Sequence, residues 1–360
     1  MSTRPAQAPW GTNAALAEIA DRLRGAGAVV IVTHSKPDGD AAGSTLGVLR
    51  ALLRLGVPAQ AWYAGPRPRW IGALAGSSPV RYLAASPPMT PAEGAPFSGS
   101  ELAPAAVLVM DTGSWSQLGE YRPWLATMRG RAIVIDHHLH GDADVAEVRL
   151  VDPSVPAVAQ LAARLCCELL GAAGPADLPA EVAEPLYLGL ATDTGWFRHS
   201  NLTAEAMHLA ADLLDAGADH TRLYQTVEQQ DSPGRLRLMA RALASLELHA
   251  GDSIALMLLR RSDFAQCRAE RTDSGGLVDL PLAVATVRAS AVLTEEAADP
   301  DGRPVTKASL RSKPGPDAVD VNQVSRTLGG GGHARAAGVK LNLPPDEARA
   351  AILRALGAVP

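Results

Sequence analysis

Cysteine is scarce in this chain of 360 residues: Cys166 and Cys167 sit side by side, and Cys267 stands far away. With no CxxC pair and no even-numbered set, neither a disulfide scaffold nor a structural zinc site is expected. Aromatic residues make up only 4% against 47% hydrophobic residues, so the core must be aliphatic, built from Ala, Leu and Val. Positive charge is short as well. A net charge of −5 argues against a protein that coats long duplex nucleic acid, though a local basic pocket could still hold a short anion. No apolar run approaches the length of a membrane span, so no membrane partner is expected. Met1–Trp10 is polar and contains proline, without the apolar segment of a secretory signal. A cytoplasmic protein of one to three domains is the expectation.

What the chain does have is a recurrent arrangement. Four apolar runs each end in carboxylates or imidazoles. Val29–Val32 leads to His34, Asp38 and Asp40; Val107–Met110 to Asp111; Ala132–Ile135 to Asp136, His137 and His138; and Leu186–Ala191 to Asp193. Read as strand ends of a parallel α/β sheet, these clusters would converge on one crevice.

The intervening segments fit that layout. Ala14–Arg24, Ala42–Leu55 and Thr203–Ala216 carry helical apolar spacing, and Val158–Leu170 and Ala183–Leu190 read as helical or partly so. Ala84–Pro104, rich in Pro, Ala, Gly and Ser, reads as a connection without regular structure. Strands alternating with helices imply a parallel sheet covered on both faces. The pattern breaks near Gln229–Gly234, and Arg235–Leu248 reads as a helix bridging two domains. Beyond it, Ser253–Leu259, Ala289–Thr294, Thr306–Arg311 and Ala336–Leu341 read as short strands, and Pro345–Leu356 as a closing helix. Residues 301–340 hold seven Lys or Arg against three Asp, a basic patch in an acidic chain.

Each cluster has a plainer explanation. Asp38 and Asp40 could simply cap the following helix, and Asp111 and Asp193 could each make an Asx turn. Pro37 and Gly39 would instead force a tight turn that brings His34, Asp38 and Asp40 together. His137 and His138 are harder to explain away, because a buried imidazole without polar partners costs free energy. Four such clusters in order favour one metal site, and the donor set of two imidazoles and four carboxylates without thiolate suits Mn²⁺, with Mg²⁺, Co²⁺ or Fe²⁺ as rivals. Two metals about 3.5–4 Å apart can share a carboxylate and activate a water for attack on phosphorus. In the C-terminal region, Gly329–Gly332 before His333 offers backbone N–H groups for an anion, although a flexible linker is the plainer reading. Arg311 suits phosphate recognition, or is an ordinary surface charge.

These motifs, His34-x-x-x-Asp38-x-Asp40, Asp111, Asp136-His137-His138 and Asp193, resemble those of the DHH phosphoesterase superfamily. The Gly329–His333 segment resembles its associated DHHA1 domain, and the layout is most similar to the small oligoribonuclease branch. The resemblance implies a DHH catalytic domain over residues 1–228, a linker and bridging helix over 229–248, and a smaller α+β DHHA1 substrate-binding domain over 249–360, with the active-site cleft between the two domains. It implies one Mn²⁺ on His34, Asp38 and Asp111 and another on Asp40, Asp111, His137 and Asp193. It places His138 beside the scissile phosphate, with Asp111 and Asp136 in the catalytic set. Arg311, Gly330, Gly331, Gly332 and His333 would bind substrate, and Arg198 and His199 would line the cleft. Gln160 stands where many members carry a charged residue.

The substrates so implied are short oligonucleotides and dinucleotides cut to mononucleotides, and 3′-phosphoadenosine 5′-phosphate. A cyclic di-AMP phosphodiesterase uses the same chemistry and stays open. Pyrophosphate hydrolysis and a RecJ-like exonuclease share the metal motifs but fit the length or C-terminal region less well. A silent nucleotide sensor and a tRNA-editing adaptor are alternatives of other classes. The sequence leaves a homodimer open.

Overall fold

The computed structural model describes residues 9–83 and 104–358. The connection expected over Ala84–Pro104 therefore lies outside the described residues, Pro104 excepted. Two compact units divide the chain, Met1–Gln230 and Asp231–Pro360.

The first unit is built on a parallel sheet of β1 (Val29–Thr33), β2 (Ala59–Tyr63), β3 (Val80–Tyr82), β4 (Ala106–Met110), β5 (Ala132–Asp136) and β6 (Val148–Val151), ordered β3-β2-β1-β4-β5-β6. The central strands are apolar at every position up to the last residues, Thr33 of β1 and Asp136 of β5, because both faces are covered. In β1, Val29 and Ile31 enter one core while Val30 and Val32 enter the other. The first core is the larger and is packed by the helices Leu16–Arg24, Gly39–Arg54, Val158–Leu170 and Ala180–Asp193. The second is thinner and carries the large aromatics Trp62, Tyr121 and Trp124. Strand order reverses between β1 and β4, and ligands in such sheets bind beyond the carboxyl ends at that reversal. His34 and Asp111 follow those two strands directly.

Two readings of the sequence are corrected here. Leu186–Ala191 is no strand: it lies inside the helix Ala180–Asp193, and Asp193 is that helix's last residue. Its apolar residues are buried all round, and a short buried run has no period to separate strand from helix. The tight turn expected around Gly39 is likewise absent. Gly39 opens the helix Gly39–Arg54, Asp38 caps it by accepting from Ala41 N at 3.0 Å, and Asp40 lies in its first turn. Gly39, Gly43 and Gly47 then form one stripe. A Cβ at each would lie within 2.2–2.7 Å of Thr192, Pro185 or Leu186, so only glycine allows the helix Ala180–Asp193 to come this close.

The second unit has a mixed sheet of β7 (Glu247–His249), β8 (Ile254–Leu259), β9 (Ala289–Glu295), β10 (Thr306–Ser312), β11 (Gly331–His333) and β12 (Ala336–Leu341), ordered β11-β12-β10-β9-β8-β7. Only β8 and β9 pair in parallel among these described strands. The helix expected over Arg235–Leu248 runs instead over Pro233–Ala244, and Glu247 and Leu248 belong to β7. Leu238 and Ala242 of this helix are fully buried in one cluster with Met257, Leu259 and Phe264 of the second unit. The glycine loop is also partly regular, since β11 pairs with β12 and a Cβ at Gly330 or Gly332 would meet β12 backbone at 2.3–2.4 Å. No helix among the described residues is long and apolar enough to cross a membrane.

Candidate metal centre

Six side chains from four places in the chain meet above the strand reversal. Asp111 is the centre of the group. Its two oxygens face different imidazoles, Oδ2 at 3.4 Å from His34 Nε2 and Oδ1 at 3.4 Å from His137 Nε2. Asp38 Oδ2 lies 3.7 Å from His34 Nε2, and Asp40 Oδ2 and Asp193 Oδ2 lie 4.0 and 3.7 Å from His137 Nε2. Donor atoms of His34, Asp38 and Asp111 thus form one compact group, and those of Asp40, His137 and Asp193 another.

The imidazoles are aimed by their other nitrogens. His34 Nδ1 bonds the Ser35 carbonyl at 3.0 Å and His137 Nδ1 the Val155 carbonyl at 3.2 Å, which leaves each Nε2 as the free donor atom toward the carboxylates. Asp40 is held by the N-terminus of the helix Val158–Leu170, accepting from Val158 N at 2.6 Å and Ala159 N at 2.9 Å. Asp111 sits at φ 61°, a left-handed conformation uncommon for a non-glycine residue and a form of strain typical of functional sites.

The electrostatics are those of a cluster with too much negative charge. Burial, then the nearby Asp111 and Asp193 carboxylates, push Asp40 well above the ordinary carboxylate range. Burial is also the main reason that Asp193 rises to about 6. For His34, burial acts to lower the pKa, but Asp111 and Asp38 overcome it and raise the imidazole to about 11. His137 is raised to about 10 against the same burial, by Asp111 and Asp40. Burial acts to raise Asp111, yet the two imidazoles pull it below its usual value. Even so, Asp111 Oδ1 is buried with no hydrogen-bond partner among the described residues. Four carboxylates around two imidazoles, with Asp111 Oδ1 facing an imidazole at 3.4 Å but lacking a well-formed hydrogen bond, are the surroundings a divalent cation would complete.

His138 adjoins this cluster, its donor atom grouping with those of Asp111 and His137, and the other candidates fall outside it. His138 is half exposed at its rim, with Nδ1 2.7 Å from Asp136 Oδ1, a contact that raises its pKa. Asp136 is fully buried beneath it and also accepts from the backbone N–H groups of His137 and His138. Gly195, Trp196 and Phe197 form a left-handed turn after Asp193, with Arg198 Nε bonding Gly195 O at 2.8 Å and the His199 ring lying over Gly195. Gln160 is buried in the first turn of the helix that holds Asp40, and its Oε1 has no partner among the described residues. In the second unit, Arg311 lines a cavity of about 510 Å³ with Arg271, Lys307 and Ser309, its Nε 3.6 Å from Asp279. His333 is exposed on β11.

Sequence reasoning missed the parts that aim these groups. The carbonyls of Ser35 and Val155 leave no sequence mark. The i, i+4, i+8 spacing of Gly39, Gly43 and Gly47 was a legible sign of close helix packing. So was Trp196, one of few aromatics, whose indole donates to Glu228 at 2.9 Å and packs on His220 and Tyr224.

A family model described as the DHH family, N-terminal domain, matches residues 28–190. The chain is 32% identical to the bifunctional oligoribonuclease and PAP phosphatase NrnA of Thermus thermophilus, over 96% of this chain and 94% of that protein. It is 25% identical to a probable protein of the same description from Streptococcus mutans, over 86% of this chain and 88% of the other. Among solved structures, an exopolyphosphatase-related protein from Bacteroides fragilis superposes with a TM-score of 0.79 at 26% identity, covering 95% of both chains. Manganese-bound RecJ from Thermus thermophilus superposes at 0.52 and 18% identity, over 99% of this chain and 56% of that one, a likeness of fold.

Proposed function

The chain belongs to the DHH family of metal-dependent phosphoesterases, and from that premise we propose that it hydrolyses short oligonucleotides to mononucleotides and 3′-phosphoadenosine 5′-phosphate to AMP. The observation that carries the reading is Asp111, each of whose oxygens faces a different imidazole 3.4 Å away. One carboxylate can then serve two cations, with His34 and Asp38 completing one subsite and Asp40, His137 and Asp193 the other. Oxygen and imidazole donors without thiolate suit Mn²⁺, with Mg²⁺ or Co²⁺ as substitutes. Divalent ions held by these residues would lower the pKa of a water and neutralise charge on the phosphoryl oxygens.

The chain's own groups do the rest. Asp136 holds the His138 Nδ1 proton, which leaves Nε2 to face a substrate. With its pKa raised, His138 is more often protonated near neutrality and donates to a phosphoryl or leaving oxygen. Arg311, His333 and the backbone N–H groups of Gly330, Gly331 and Gly332 recognise phosphate or nucleotide, and Arg198 and His199 serve the same purpose near Asp193. The Thermus relative of similar length, named for both oligoribonuclease and PAP phosphatase activity, supports this substrate class.

The test is chromatographic. With Mn²⁺ present, the purified protein should release AMP from the linear dinucleotide pApA and phosphate from 3′-phosphoadenosine 5′-phosphate. Cleavage of cyclic di-AMP at a higher kcat/KM would move the assignment to a signalling-nucleotide phosphodiesterase. Mn²⁺ binding with no turnover of any of the three would leave a nucleotide sensor.

A further inference from the structure

One side chain near the start of the described chain reaches the candidate centre. Trp10 Nε1 donates to the His138 carbonyl at 3.1 Å. Its ring lies against Gly113 and Gly141, which follow Asp111 and His138 closely in sequence. A Cβ added at Gly113 would fall 1.7 Å from the indole Cη2, and one at Gly141 2.6 Å from Cε2. No side chain can stand between the ring and either backbone. The two loops also bind each other, Asp142 N donating to the Gly113 carbonyl at 2.7 Å and Trp115 N to Asp142 Oδ2 at 2.8 Å.

The indole has a firm base. Thr12 Oγ1 donates to the Val151 carbonyl and accepts from Val151 N, both at 2.7 Å. Asn13 N donates to the Arg149 carbonyl at 2.9 Å, and Asn13 Oδ1 accepts from Arg149 N at 2.7 Å. The segment is thereby fastened to β6, whose neighbour β5 ends in Asp136. By contrast, Leu139, next to His138, is 73% exposed and gives its loop little packing.

We infer that Trp10 is a positioning residue for the metal centre, holding the Asp111 loop and the His137–His138 loop at one fixed separation. The inference rests on the proposed function for the identity of that centre. It predicts that the ring and the indole N–H contribute separately, because the ring spaces the two glycine backbones and the N–H fixes the His138 carbonyl.

The experiment compares the full wild-type chain with Trp10→Ala, Trp10→Phe and Gly113→Ala, reading Mn²⁺ affinity by calorimetry and kcat and KM on pApA. Trp10→Ala should lower Mn²⁺ affinity about tenfold, as loss of a group that orients metal ligands does. Its kcat should fall while KM holds. Trp10→Phe keeps a ring and loses only the donor, so about fivefold is expected, with partial rescue relative to alanine. Gly113→Ala should displace the ring and match Trp10→Ala, and the double variant should be no worse than either single change. Wild-type Mn²⁺ affinity and kcat in Trp10→Ala, with only a lower melting temperature, would overturn the inference. If Trp10→Ala does not fold, wild-type values in Trp10→Phe overturn it equally. A wild-type protein that binds Mn²⁺ but leaves both pApA and 3′-phosphoadenosine 5′-phosphate intact sinks the proposed function, while the Mn²⁺ affinities still decide the role of Trp10.

Discussion

The carboxylate cluster of the first unit and the basic face of the second meet opposite physical conditions. Asp40 and Asp111 are almost wholly buried, crowd one another and lack a permanent cation among the described residues. The cations around Arg311 are more exposed and several have local counter-charges, Arg271 with Glu296 at 2.9 Å and Arg311 with Asp279 at 3.6 Å. Like charges packed in a core are tolerable only if something neutralises them, whereas exposed, loosely paired cations can exchange partners at little cost. On the proposed function, the first region would keep a bound cation and the second would recognise an anionic substrate and release it.

The largest way to break this contrast is Asp111→Ala. It removes the carboxylate common to both subsites, so kcat should fall on the order of 10³-fold or more, and Mn²⁺ stoichiometry should drop with the circular dichroism spectrum retained. Residual activity close to wild type would end the two-metal account. Next is His138→Asn, expected to lower kcat about 10²-fold with Mn²⁺ affinity preserved: its ring also lies within reach of Asp111 and His137, but it is half exposed and its Nδ1 is engaged by Asp136 at 2.7 Å. A parallel loss of Mn²⁺ would show that His138 is itself a ligand. In the second region, Arg311→Ala should raise KM about tenfold with little change in kcat, the mark of uniform binding lost. A kcat effect without a KM effect would move Arg311 into the chemistry.

The same contrast explains what was legible in the sequence. The parallel sheet could be read because doubly covered strands are apolar at every position, and Val29–Val32, Val107–Met110 and Ala132–Ile135 stand at or inside β1, β4 and β5. The element before Asp193 had two readings: Leu186–Ala191 is as uniformly apolar as a strand, Ala183–Leu190 read as helical or partly so, and the packing of Gly39, Gly43 and Gly47 against it belongs to the helix. In the second unit, Glu247 and Leu248 continue a helical pattern into β7, because pairing with β8 outweighs local propensity. The aiming of His34 and His137 by carbonyls could not have been read at all, since every residue carries the same backbone oxygen.

The smallest effect is also the sharpest test of the charge argument, because it needs no mutation. In the metal-free protein, His34 and His137 have pKa values of about 11 and 10, above the ordinary histidine value near 6.5. Their contribution to stability is fully present below that ordinary value and is lost as pH rises through about 10 to 11. Asp193, raised to about 6, acts in the same direction at lower pH: its folded state holds the proton longer, so stability falls as pH rises from the normal carboxylate range through about 6. The melting temperature of the metal-free protein should therefore decline from weakly acidic to alkaline pH. Mn²⁺ should flatten that slope, because a cation replaces the imidazole protons as the counter-charge. Binding at pH 7 should release protons from His34 and His137, read as a calorimetric heat that changes with the ionisation enthalpy of the buffer. A buffer-independent heat would mean that the imidazoles are already neutral and that the cluster carries less excess negative charge than its geometry implies.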